Sequence, residues 1–237
     1  MGDMRGGAGP VASDLPHRPL TLEEVKRDAE AEAYVSKADE YTGAIGYTEH
    51  GFRHANLVAS IGSNILRRLG RPERIMHLAA IAGYLHDIGN LVGRVNHEHT
   101  GALLAGQILT RLGMDPIDRA VVMGAIGNHE EQSGDPVSEV GAALILSDKS
   151  DVHRTRVRNP DPTTFDIHDR VNFAVEHSFL RVDGQARTVT LELVIDTKMS
   201  QVMEYFEIFL PRMVMCRRAA MLLGCEFKLQ INGTKLL

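Results

Sequence analysis

Seven of the 11 histidines in this 237-residue chain lie between His50 and His129. Five stretches each bring a histidine or an aspartate onto an apolar helical face. His54 shares a face with Val58, Ile61 and Ile65, and His97 with Gly101, Leu104 and Ile108. His86-Asp87 follows directly on an apolar run of Ile75, Leu78, Ala79, Ala82 and Leu85. His129 goes with Val122 and Ala125, and Asp148 with Val137, Gly141 and Leu144. This patterning turns His54, His86, Asp87, His97, His129 and Asp148 inward. Buried imidazoles and carboxylates are costly unless hydrogen-bonded or metal-bound. One such group reads as a satisfied core residue, whereas six from five helices point to a metal site. The nitrogen and oxygen donors suit iron, manganese or zinc better than calcium. The absence of clustered cysteines argues against a structural zinc site.

Around this set stand residues of more open role. His50 lies one helical turn before His54, where it could bind metal or a leaving-group oxygen or simply support its neighbours. His99 is an alternative ligand to His97, but its face meets Ala102, Gly106 and Thr110, so periodicity favours His97. Lys149, Arg154, Arg156 and Arg158 follow Asp148 closely. They could grip phosphate, or form a solvated basic helix end favoured by the helix dipole. Asp151 is placed to pair with Arg154.

The elements that must hold these residues are mainly helices. Residues 1–19 are rich in glycine and proline and read as a flexible tail. Thr21-Leu22-Glu23-Glu24 reads as a capping box, with Leu20 and Val25 as a hydrophobic staple. Helical periodicity then runs to about residue 155, with Gly70 and Arg71-Pro72 separating two helices and further helices expected over 97–113, 116–129 and 137–153. The C-terminal third differs. Residues 170–182 and 187–195 alternate as strands around an Asp183-Gly184 turn. Ser200 caps a Met-rich helix to about Leu223, kinked at Pro211, and 225–231 forms a last strand. The expected fold is mainly α: a helical domain over 20–160 with a small β-β-α-β appendage over 161–237.

Composition narrows the function. Lys+Arg total 26 against 31 Asp+Glu, a net charge of −5, which is unsuited to non-specific nucleic-acid binding. Only Cys216 and Cys225 are present, so a disulfide framework is excluded and a reducing, cytoplasmic compartment is expected. No apolar run approaches the ~20 residues of a membrane span, and no signal peptide is evident.

The order His54, His86-Asp87, Asp148 resembles the HD superfamily of metal-dependent phosphohydrolases. The run from His54 to Ala59 is similar to its first-helix motif, and Leu85-His86-Asp87-Ile88-Gly89 to its signature dyad. Asn96-His97-Glu98-His99-Thr100-Gly101, Asn128-His129-Glu130 and Ser147-Asp148 resemble further elements of its two-metal members. Those members include the HD-GYP cyclic-dinucleotide phosphodiesterases and the HD-type hydrolases of diadenosine tetraphosphate. The resemblance covers about residues 48 to 155. The chain departs from the HD-GYP pattern at Asn90, where a lysine is usual, and lacks the GYP turn.

The resemblance implies one metal ion on His54, His86, Asp87 and Asp148, and a second on His97 and His129 with Asp87 as a bridge. Asp87 is therefore the expected catalytic carboxylate. Paired cations would supply hydroxide at neutral pH and neutralise phosphate oxygens. The expected activity is hydrolysis of a small phosphoester, such as a nucleotide, with one or two divalent ions of iron, manganese or zinc. His50, Lys149 and Arg154 are the expected substrate contacts. A regulatory module that binds metal and phospholigand without turnover is the alternative. With 5% aromatic residues and no Trp, stacking platforms for single-stranded nucleic acid are sparse, so no nucleic-acid polymer and no membrane is expected as partner. The Met-rich helix carries Phe206, Phe209 and Leu210, more apolar surface than one small sheet would cover, and a homodimer is expected through this region.

Overall fold

The computed structural model describes residues 19–236, so all of the expected tail except Pro19 lies outside the described residues. Nine α-helices are described: α1 (Leu22–Lys26), α2 (Ala29–Ala44), α3 (Phe52–Arg68), α4 (Glu73–Leu85), α5 (His97–Arg111), α6 (Pro116–Gly127), α7 (Glu139–Lys149), α8 (Ile167–Ala174) and α9 (Val202–Leu222). The strands are β1 (Val175–Asp183), β2 (Thr188–Ile195), β3 (Glu226–Ile231) and β4 (Thr234–Lys235). The capping box forms as read: the Thr21 amide donates to Glu24 Oε2 at 2.9 Å, and the Glu24 amide to Thr21 Oγ1 at 3.3 Å. Asp115 caps α6 ahead of Pro116, and Ser138 caps α7 by accepting from the Gly141 amide at 3.0 Å. No helix among the described residues is long and apolar enough to cross a membrane.

Helices α3, α4 and α7 pack around a core of Val58, Ile65, Leu85, Leu144 and Ile145, all fully buried. Two glycines permit the close approaches that bring the site residues together. A Cβ on Gly83 would stand 2.8 Å from the Ala59 backbone, so the absence of a side chain lets α4 lie directly on α3. A Cβ on Gly89 would collide with the His97 carbonyl and the Gly101 amide, so only glycine lets the turn after Asp87 rest on α5.

The C-terminal part forms a four-stranded sheet of order β1-β2-β3-β4. The β1–β2 and β3–β4 pairs are antiparallel and β2–β3 is parallel. The parallel pair requires a crossover, and α9 supplies it. Asn232-Gly233 turns the chain into β4, which the sequence reading did not include. The core is continuous across both parts. Phe209, Cys216, Ala219 and Ala220 of α9 are buried in the same cluster as α7, and both cysteines are free and buried. Met203, Leu210 and Met221 on the outer face of α9 are exposed, whereas Phe209 is 1% exposed.

Several local expectations are corrected. Residues 167–174 are helical, not extended, because Asp166 caps the segment by accepting from the Asp169 amide at 2.8 Å, and Val171 and Ala174 then share its buried face. β1 therefore begins at Val175. The residue that caps α9 is Gln201, while Ser200 donates to Glu204 Oε2 at 2.8 Å. Val137 precedes α7 and is exposed, so it does not share the face of Asp148.

Candidate metal centre

Each expected ligand is delivered by a different part of the helical frame. His54 sits in the first turn of α3, His86 caps the C-terminus of α4 with Asp87 next to it, His97 opens α5, His129 follows α6, and Asp148 ends α7. The structure brings all six together. His54 Nε2 lies 3.3 Å from His86 Nε2 and 3.3 Å from Asp148 Oδ1. Asp87 Oδ2 is 3.2 Å from His86 Nε2, and Asp87 Oδ1 is 3.4 Å from His97 Nε2. The His129 ring is 5.0 Å from that of His86 and 5.1 Å from that of His97, centroid to centroid. His97 is buried, while the side chain of His99 is 60% exposed, so the periodicity argument selects the inward histidine.

The ring nitrogens show what this cluster can hold. Nδ1 of His86 meets the Gly83 carbonyl at 2.9 Å, that of His129 the Ile126 carbonyl at 2.6 Å, and that of His97 the Arg94 carbonyl at 3.1 Å. Nδ1 of His54 meets Asp151 Oδ2 at 2.7 Å. All four partners are oxygens that can only accept, so each Nδ1 carries a proton and it is Nε2 of each ring that points inward, the atom a cation would take. The Nε2 atoms of His54 and His86 thus face each other and the carboxylate oxygens of Asp87 and Asp148. Asp87 Oδ2 is fully enclosed without a hydrogen bond. An enclosed set of convergent acceptors is costly by itself and is satisfied by a cation, so these residues fit a transition-metal ion. Three groupings have donor atoms close enough for one ion: His54, His86 and Asp148; His86, Asp87 and His129; His97, His129 and Glu130.

Electrostatics agree with that reading. Burial alone would raise the Asp87 carboxyl, but His86 and His97 hold it well below its usual range. Asp148 is likewise held low against burial, by Lys149, His54 and His86. Burial, with help from the cations around it, pushes His129 well below an ordinary histidine and keeps it neutral. His50 is lowered by burial and by Arg156.

Residues 51–163 match the HD domain family. This chain carries an HD domain. An uncharacterized protein of Methanocaldococcus jannaschii, MJ1020, is 25% identical over 178 residues, which span 66% of this chain and 68% of that protein. Its name attaches no activity to it.

Beside the cluster, with His97 in its wall, lies a cavity of about 670 Å³ whose lining also includes Tyr47, His50, Arg94, Glu130 and Arg212. His50 packs edge-on against His54 with centroids 5.6 Å apart, although it precedes α3 instead of belonging to it. The expected basic grip is corrected. Lys149 is buried between Glu131 Oε2 at 2.6 Å and Asp148 Oδ2 at 2.9 Å, where it neutralises carboxylates and has no free face for phosphate. Arg154 is not among the cavity-lining residues. It pairs with Glu176 at 3.0 Å and stacks on Phe173. Arg158 pairs with Asp39, and Arg156 donates to the Glu49 and Asp151 carbonyls. Asp151 does not pair with Arg154 but serves His54, Arg53 and Arg156.

Sequence reasoning missed several residues that the HD domain places at this centre. Glu130 stands in the Asn128-His129-Glu130 motif, and its carboxylate joins His97 and His129 in one possible donor set. Asn90 is buried, donating to Asp87 Oδ1 at 3.1 Å and so fixing that carboxylate. Glu131 holds Lys149 and also accepts from Arg212 of α9 at 3.1 Å. Arg94 lies on the irregular segment before α5, where no periodicity could have indicated its direction.

Proposed function

We propose that this chain is a metal-dependent phosphohydrolase that cleaves a small phosphoester, with a nucleotide the leading candidate. The observation that carries this reading is the convergence of four Nε2 atoms with the Asp87 and Asp148 carboxylates beside a cavity edged by arginines. Iron, manganese or zinc bound at His54, His86, Asp87 and Asp148, or shared further with His97, His129 and Glu130, would supply a hydroxide equivalent at neutral pH and neutralise phosphate oxygens.

The remaining work falls to the chain itself. Asp87, with one oxygen toward His86 and the other toward His97, spans the two halves of the cluster. Asp151 and the Gly83, Arg94 and Ile126 carbonyls fix the ring orientations of the four histidines, so the donors are organised in advance. His50 gives its Nδ1 proton to the Thr48 carbonyl at 2.6 Å, which leaves Nε2 able to accept from a water or a phosphate hydroxyl. The cavity volume suits a small molecule, and the net charge of −5 disfavours a long polyanion.

The test is turnover of a panel of nucleotides and simple phosphoesters by protein stripped with chelator and reloaded with Fe²⁺, Mn²⁺ or Zn²⁺ in turn. Metal-dependent release of phosphate is expected. Absence of bound metal after anaerobic reloading would refute the reading.

A further inference from the structure

The two halves of the cluster differ in one respect. Between His54, His86 and Asp87 no lysine or arginine intervenes: two Nε2 atoms face each other at 3.3 Å and Asp87 Oδ2 has no hydrogen bond. Lys149 reaches only the outer oxygen of Asp148, and Oδ1 is left toward His54 and His86. At the other half a cation of the chain is already in place. Arg94 Nη1 donates to His97 Nε2 at 3.1 Å and to Asn90 Oδ1 at 3.3 Å, and Nη2 is 3.5 Å from Glu130 Oε2. The Tyr47 ring covers the guanidinium at 5.3 Å. The lone pair of His97 that would face a second metal ion is therefore spent on a guanidinium, and the Glu130 carboxylate is paired to the same group.

Resting on the metal reading above, we propose that Arg94 is the second cation of this site. The chain then binds one metal ion, at His54, His86, Asp87 and Asp148, and the Arg94 guanidinium stands where His97, His129 and Glu130 would otherwise hold another. Asn90 couples the two, since it donates to Asp87 Oδ1 and accepts from Arg94. A guanidinium in this position presents a planar fork of N–H donors at the cavity wall, the geometry that matches phosphate oxygens. The other two arginines of that wall are engaged elsewhere, Arg156 with backbone carbonyls and Arg212 with Glu131. Arg94 has a quarter of its side chain exposed. It is thus the arginine of this cavity seated both on the histidine cluster and in reach of a ligand.

The experiment is a metal count on the full chain, stripped and reloaded with excess Mn²⁺, by elemental analysis with electron paramagnetic resonance as a second readout. One Mn²⁺ per chain is expected for the wild type and for Arg94→Lys, which keeps the charge. Two per chain, with a spin-coupled signal, are expected for Arg94→Ala. At one Mn²⁺ per chain, before the second position fills, the same variant should bind inorganic phosphate at least tenfold more weakly than the wild type. If Arg94→Ala does not fold by circular dichroism, Arg94→Gln carries the same count. Two ions in the wild type, or one in both the wild type and the uncharged variant, would overturn the assignment of Arg94 while leaving the metal reading intact. No ion in any of them would remove the metal reading and this inference with it.

Discussion

Asp151 accepts the Nδ1 proton of His54 at 2.7 Å, and both side chains are buried. The carboxylate sets the tautomer of the ring and turns Nε2 toward Asp148 and His86. Burial would raise Asp151, but Arg156, His54 and Arg53 hold it well below an ordinary carboxyl, so it is ionised at all working pH values. Asp151→Asn should weaken metal binding by about 10–100-fold, the usual cost of losing such a partner. Calorimetric titration with Mn²⁺ checks this, and an unchanged affinity would contradict the role.

Glu131 holds the buried Lys149 ammonium at 2.6 Å and ties it through Arg212 to α9. Glu131→Gln leaves Lys149 with one carboxylate, Asp148, and leaves Arg212 without its ion partner. Breaking a buried pair from one side costs about 3 kcal/mol. Urea unfolding should show a loss of that order, and the variant should also bind metal less well, because Lys149 then competes for both oxygens of Asp148.

The metal-free protein should depend on pH through His86. Burial by itself would lower this imidazole, but the Asp87 and Asp148 carboxylates overcome burial and raise it to about 10, against an ordinary value of 6.5. A folded value above the unfolded one contributes stability fully below pH 6.5, and that contribution is lost as pH rises towards 10. Urea unfolding of chelator-treated protein should therefore show falling stability across this interval. Metal binding must displace the same proton, so titrations at pH 8 in two buffers of different ionisation enthalpy should report about one proton released per ion. Heats independent of the buffer would contradict this.

Asp87 faces both halves of the cluster and makes few contacts that hold the fold. Asp87→Ala should lose metal and hydrolysis together while the far-ultraviolet circular dichroism stays that of the wild type, since α4 is held by Leu78, Ile81 and Leu85. Retained turnover would exclude Asp87 from the chemistry.

Charge reversal at Arg154, on the surface beside Glu176, should leave the KM for a nucleotide unchanged, whereas Arg94→Gln should raise it severalfold. Steady-state kinetics on the two variants separates an arginine that is near Asp148 in sequence from one seated on His97 in space.

The helical frame and the inward direction of six polar side chains were legible in the sequence because helical periodicity is local. An imidazole four residues from buried Val58, or eleven from buried Ile108, must share their face, whatever the rest of the chain does. Caps are equally local, as Thr21 and Ser138 show. The helix over 167–174 was not legible, because Val171, Phe173 and Val175 alternate as a strand would. What decides that segment is the Asp166 cap and the packing of Val171 and Ala174 against the core.

Local patterning was enough to set most of the helices and strands, to bury histidines and aspartates on them, and therefore to call for a cation-binding cluster. Which charges meet depends on how the elements pack. Lys149, Arg154, Arg156 and Arg158 are neighbours along the chain, yet each turns to a different partner: Glu131 and Asp148, Glu176, the Glu49 carbonyl, and Asp39. Arg94 and Arg212 are far apart along the chain but reach the same cavity. Charged side chains are long, and their pairing depends on which carboxylates and carbonyls other elements bring within about 3 Å. That is a property of packed helices, and no periodicity within one helix encodes it.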